Sequence, residues 1–148
     1  MHKKDKMDLL QEAIRTKCSR NIVSLLDDIT LADIEKNDEK TGLNMIHIAA
    51  SEGAYKELFL ILSEYKNVDV NILTNGLQKK TALEIACSKG NVEIVKLLLQ
   101  NGAKIEDIEN FQRKFKEHKS IIEIIESTFG IERKKSFFSF LSKLSKNN

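Results

Sequence analysis

The chain has no proline and no tryptophan, and only two cysteines in 148 residues. The absence of proline and the scarcity of aromatic residues before position 110 suit a mostly helical chain. Cys18 and Cys87 stand far apart, with no CxxC pair and no histidine cluster beside them. That spacing argues against a disulfide framework and a zinc site, and two small buried or half-buried thiols are expected. No apolar run approaches the roughly 20 residues that a membrane-spanning helix needs. The opening MHKKDKMDLLQEAI has basic residues but no apolar stretch or small-residue cleavage site behind them, so it does not read as a signal peptide and cytoplasmic folding is expected. Also missing are a glycine-rich phosphate loop, a carboxylate and histidine set, and any metal-ligand spacing. The expectation is a non-catalytic protein without a cofactor.

Charged residues make up 31% and apolar ones 41%, the balance of a folded domain, and the net charge is +2. The charge is unevenly placed. Residues 131 to 148 hold Arg133, Lys134, Lys135, Lys143 and Lys146 against Glu132, which leaves the rest slightly acidic and a poor nucleic-acid surface. Six of the seven phenylalanines lie from Phe111 onward, a shift in composition. One domain over residues 7–130 with a basic tail over 131–148 is the simplest division.

The stretch TALEIACSKGNVEIVKLLLQNGAKIED (81 to 107) carries the most pattern. Thr81 and Glu84 have the spacing of a capping box, and Gly90 suits the left-handed residue that ends a helix. In the following helix Glu93, Lys96 and Gln100 share one narrow stripe, while Val92, Ile94, Val95, Leu97, Leu98 and Leu99 cover the remainder. A helix apolar over that much of its circumference must be packed on several sides. Its short partner is too small to do this alone, so neighbouring copies are expected. They are present: a shift of 37 residues lays NMIHIAASEGAYKELFLIL (44 to 62) on TALEIACSKGNVEIVKLLL (81 to 99), and a further 36 reaches a fainter copy in LLQEAIRTKCSRNIVSLL (9 to 26), where Lys17 takes the glycine position. Asn75-Gly76 marks a sharp turn between the short extended pieces VDVNIL and LQKKT.

The segments NMIHIA (44 to 49) and TALEIA (81 to 86), with the glycine and apolar run after each, resemble ankyrin repeats, a family with a period of about 33 residues and a T-P-L-H-x-A signature. The match is specific over 37 to 107 and looser over 8 to 36. The resemblance implies an all-α ankyrin-repeat solenoid of stacked helix-turn-helix units joined by β-turn or hairpin loops, with units near 7–36, 37–73, 74–107 and 108–130. It assigns structural roles to Asn44, His47, Gly53, Thr81, Glu84, Gly90 and Gly102. His47 matches the family's turn-holding histidine, and no carboxylate or second histidine stands at helical spacing to make it a base or a ligand. Neither copy has the signature proline, Met45 and Ala82 standing in its place, and Glu84 replaces the histidine.

By the same resemblance the function is protein binding on a concave face made of the loops and first helices. The candidate contacts are Lys40, Thr41, Leu43, Ser51 and Glu52 in one unit and Leu77, Gln78, Lys80, Ser88 and Lys89 in the next, with Arg15 and Thr16 extending the row. Leu43 and Leu77 are candidate anchors at the turn tips, or tuck back on the stack. The terminal units should be polar-faced caps, with Lys17, Arg20, Asp27 and Asp28 at one end. At the other, Phe111 and Phe115 should share one helix face and Ile121, Ile122, Ile124 and Ile125 another. In RKKSFFSFLSKLSKNN the residues Phe137, Phe138, Phe140, Leu141 and Leu144 share a helical face, giving a short basic amphipathic helix over about 134–146. It packs on the stack, or docks in a partner, or sits on an anionic membrane surface, which is the alternative function. A monomer is expected. The Lys, Asn and Ile richness suggests an AT-rich genome, and small ankyrin proteins of this kind resemble those that host-associated microbes deliver into host cells.

Overall fold

The computed structural model describes residues 2–131 and 144–145. Among the described residues the chain forms nine α-helices and no strand: α1 (Lys3–Arg15), α2 (Ile22–Leu26), α3 (Leu31–Glu35), α4 (Met45–Glu52), α5 (Tyr55–Glu64), α6 (Ala82–Lys89), α7 (Val92–Gln100), α8 (Ile108–Lys114) and α9 (Lys119–Thr128). The amphipathic helix expected over 134–146 lies almost wholly outside the described residues.

First helices α1, α4 and α6 stand side by side in one row, and second helices α2, α5, α7 and α9 in another. Small residues let the first row close up: Ala49, Ala50, Ala82 and Ala86 are completely buried. The second row carries the larger side chains, with Ile22, Leu58, Ile61, Ile94, Val95 and Leu98 all buried. Glu93, Lys96 and Gln100 face solvent, as the stripe on α7 requires.

The turn between the two helices of a unit is the same in three copies. Gly53 and Gly90 end α4 and α6 with φ of 66° and 69°. At the equivalent place Lys17 takes φ of 54°, the one positive-φ residue other than glycine among the described residues. Matching backbone bonds follow, from the Cys18, Ala54 and Asn91 N–H groups to the carbonyls of Ala13, Ala49 and Ala86, at 2.8, 3.0 and 3.0 Å. A side chain in the left-handed region crowds its own carbonyl, so the first unit keeps the turn at a cost of the order of 1 kcal/mol. Gly53 is constrained further, because a Cβ there would meet the Asn91 carboxamide at 3.2 Å.

Polar side chains then tie unit to unit through backbone groups. The Tyr65 hydroxyl lies 2.6 Å from the Ile29 carbonyl and 3.1 Å from that of Leu26, one proton serving both. Asn91 Nδ2 donates to the Ala50 carbonyl at 3.0 Å. Glu35 accepts from the Asp69 N–H at 2.7 Å, and one unit later Asn71 accepts from the Lys104 N–H at 2.8 Å while donating to the Gly102 carbonyl at 3.0 Å.

The last described helix pair is α8 and α9, with α9 packed against α7. Phe111 and Phe115 are buried with ring centroids 4.6 Å apart, and Ile121, Ile122 and Ile125 are buried beside them; Ile124 is half-buried. A hydrogen bond of 3.1 Å from Gln112 Nε2 to Glu126 Oε1 joins the two helices in the interior.

Replacing Lys17 with glycine relieves the left-handed strain, offset in part by the added freedom of the unfolded chain, and should raise stability by about 0.5–1 kcal/mol in urea unfolding. A lower midpoint would contradict this reading of the turn.

Candidate functional site

The residues singled out in the sequence lie along the first-helix row and its loops. Each loop is built as a closed turn. The Asp38 carboxylate accepts from the N–H groups of Lys40 and Thr41 at 3.0 and 2.8 Å and from the Thr41 hydroxyl at 3.0 Å. The Thr41 N–H and hydroxyl hold that carboxyl below its ordinary range. Backbone bonds between Asp38 N–H and the Leu43 carbonyl, and between Gly42 N–H and the Asp38 carbonyl, complete the turn at 2.9 and 2.8 Å. The next loop is closed by Thr74, whose N–H donates to the Lys80 carbonyl at 2.9 Å and whose hydroxyl accepts from the Lys80 N–H at 3.0 Å. The pieces flanking Asn75-Gly76 therefore meet as a single closure, not as paired strands. Asn75 N–H donates to the Gly42 carbonyl at 2.9 Å and locks one loop to its neighbour.

Lys40, Thr41, Gln78, Ser88 and Lys89 are exposed on this face, and Ser51, Glu52 and Lys80 are half-buried. Leu77 is fully exposed at its loop tip. Of the two alternatives for Leu43 the fold takes the second: it is half-buried and packs against the core, supporting the loop from beneath. Arg15 and Glu52, both candidate contacts, face each other across α1 and α4 at 3.4 Å. Thr16 caps α1, its hydroxyl bonded to the Glu12 carbonyl at 2.8 Å, and the Ser88 hydroxyl bonds the Glu84 carbonyl at 2.8 Å. Two open grooves border the row. One of about 770 Å³ runs between α1 and the loop bearing Lys40 and Leu43, and one of about 360 Å³ lies beside Lys79, Glu84 and Lys104. Lys79, between the candidates Gln78 and Lys80, is exposed at this second groove.

Below the face lies the polar frame that aims the loops. Asn44 Oδ1 accepts from the His47 N–H at 3.0 Å, and His47 Nδ1 accepts from the Asn44 N–H at 3.1 Å, a reciprocal capping box. With Nδ1 an acceptor, the ring proton sits on Nε2, which donates to the Ile72 carbonyl at 2.8 Å. Both ring nitrogens are thus engaged and the side chain is buried. Burial holds the imidazole pKa below its ordinary 6.5, against the opposing pull of the Ile72 bond. The box expected at Thr81 and Glu84 is half formed: Thr81 Oγ1 accepts from the Glu84 N–H at 3.2 Å, while the Glu84 carboxylate turns to Lys114 at 3.4 Å. A charge from the following unit draws that carboxylate away from its local partner. Gly102 has φ of 87°, and its carbonyl receives Asn71 as described.

Of the two thiols expected to be buried or half-buried, Cys18 is exposed; Cys87 is buried, and burial with the Glu84 charge nearby pushes its thiol up to about 12, so it stays protonated. Among the described residues no group of His, Cys, Asp and Glu has the arrangement to hold a metal ion. Nor is any helix among them long and apolar enough to cross a membrane.

A family model for ankyrin repeats, in three copies, matches residues 4–109. The fourth helix pair lies almost entirely beyond that match. The chain is 36% identical over 73 residues to the I-Kappa-B like protein C2 of Microplitis demolitor bracovirus, covering 49% of this chain and 39% of that one. It is 41% identical over 85 residues, 57% of its length, to the Drosophila melanogaster ankyrin repeat and KH domain-containing protein mask, of which this is 2%. It is 39% identical over 57 residues, 38% of its length, to the Danio rerio Notch-regulated ankyrin repeat-containing protein A, of which this is 51%. In each case the matched stretch is at most about half of the relative.

Because His47 is held neutral in the fold, an unfolded chain binds more protons once pH drops toward 6.5. Stability should fall as pH is lowered through 6.5 and level off below the depressed folded value. His47→Gln keeps a capping-box side chain without an ionisable ring, so its loss of melting temperature between about pH 7.5 and about pH 5.5 should be smaller than that of the unaltered chain. An equal loss in both proteins would contradict the assignment.

Proposed function

The chain belongs to the ankyrin repeat family, whose members generally mediate protein–protein interaction, and from that premise we propose that it binds a partner protein on its first-helix face. The observation that carries this reading is Leu77. A leucine wholly in solvent gains nothing for folding, yet the loop that bears it is closed by Thr74 and tied to Gly42. A loop held at its base by these bonds and presenting an apolar side chain suits an anchor that a partner covers. Gln78, Ser88 and Lys89 supply exposed polar groups around it. Ser51 and Lys80 extend the surface, and the Arg15–Glu52 pair borders it on the α1 side.

Affinity capture with the full chain supplies the partner, and the partner's affinity is then compared across variants. Leu77→Asp with Lys89→Glu should weaken binding at least tenfold, about 1.4 kcal/mol or more, with little change in melting temperature. Lys96→Glu, on the opposite helix row, should leave affinity unchanged. Binding lost through Lys96 and kept without Leu77 would overturn the proposal.

A further inference from the structure

Two Asn-Gly dipeptides occur in the chain, Asn75-Gly76 and Asn101-Gly102, and all four residues are exposed. Their hydrogen bonds differ. At the second, the Gly102 N–H donates to the Leu99 carbonyl at 3.2 Å, and Asn101 Nδ2 donates to the Leu97 carbonyl at 2.8 Å. Nucleophile and leaving group of an intramolecular attack are both tied to the end of α7. At the first, the Gly76 N–H makes no hydrogen bond among the described residues, and nothing lies within 4 Å of where a Gly76 Cβ would stand. The Asn75 carbonyl oxygen, Oδ1, accepts from Asn37 Nδ2 at 3.0 Å, a donor positioned to stabilise charge that develops on that oxygen.

We propose that Asn75 is a site of spontaneous deamidation, while Asn101, in the same dipeptide, is protected by the fold. The Gly76 backbone nitrogen attacks Asn75 Cγ, forming the N–Cγ bond of a succinimide. The Cγ–Nδ2 bond breaks and ammonia leaves with the amide proton. Solvent water then opens the ring at one of its two carbonyls, giving aspartate or isoaspartate at position 75. The isoaspartyl product adds a methylene to the main chain and a negative charge two residues from Leu77. It also shifts the backbone that donates to Gly42 and closes on Lys80. The modification stands on the geometry of the loop alone, whatever the face binds.

The test ages the purified full chain in mildly alkaline buffer at physiological temperature and maps tryptic peptides 67–79 and 97–104 by mass spectrometry, with isoaspartate-specific labelling. Asn75 should convert more than roughly tenfold faster than Asn101, since two bonds must break before Asn101 can react. In concentrated urea the two rates should become similar, and Gly76→Ala should slow conversion at Asn75. Equal conversion of both asparagines in the folded chain, or an intact Asn75 where the urea-treated chain has converted, would overturn the proposal.

Discussion

Each second helix is apolar on more sides than its own first helix covers. Ile94, Val95, Leu97 and Leu98 of α7 are buried because α5 and α9 stand against it on either flank, in addition to α6. From this constraint the remainder of the structure follows. Units must stack, the stack must keep its register, and the end units must turn polar residues outward. Van der Waals packing between rows of alanine and branched aliphatic side chains supplies most of the stabilisation. It has little power to fix register, because apolar surfaces slide.

Register comes from the polar ties instead. Glu35 and Asn71 occupy equivalent places one unit apart and accept from equivalent N–H groups, those of Asp69 and Lys104. Asn91 over the end of α4 and Tyr65 over the end of α2 satisfy carbonyls that a helix terminus leaves open. Burial and the carboxylates of Glu64, Asp33 and Asp27 push the Tyr65 phenol above its ordinary value, so it remains a donor. His47 joins this frame from within, holding α4 and the Ile72 carbonyl together. The loops that present Lys40, Leu77 and Gln78 are therefore positioned by ties to neighbouring units together with their own closing bonds at Asp38 and Thr74. A face built this way is preorganised, which is what recognition by exposed loops requires.

Much of this is legible in the sequence because it is local or periodic. The helix pairs, Gly53 and Gly90 as left-handed ends, the stripe of α7 and the aromatic pair of the last unit all follow from spacing. What is not legible depends on contacts between units. The spacing of Thr81 and Glu84 gives a full box, yet Lys114 from another unit takes the carboxylate. Leu43 and Leu77 look alike as loop leucines, and only packing separates the supporting residue from the exposed one. The segment Thr30-Leu-Ala-Asp33 carries a capping signal that the ends of the other units lack, and it forms α3 with both halves of its box present. Glu57 has the position of Ile94 in the next unit and is buried all the same, in the first turn of α5.

The central claim is that the units share one core and none of them stands alone. Native-state hydrogen exchange measures this directly, amide by amide. The slowest amides of α4, α5, α6 and α7 should open with one common free energy, that of global unfolding, while Gly76 and Leu77 exchange quickly. Opening free energies for α4 and α5 that differ from those of α6 and α7 by more than about 1.4 kcal/mol would mean that each unit unfolds by itself, and would contradict the account.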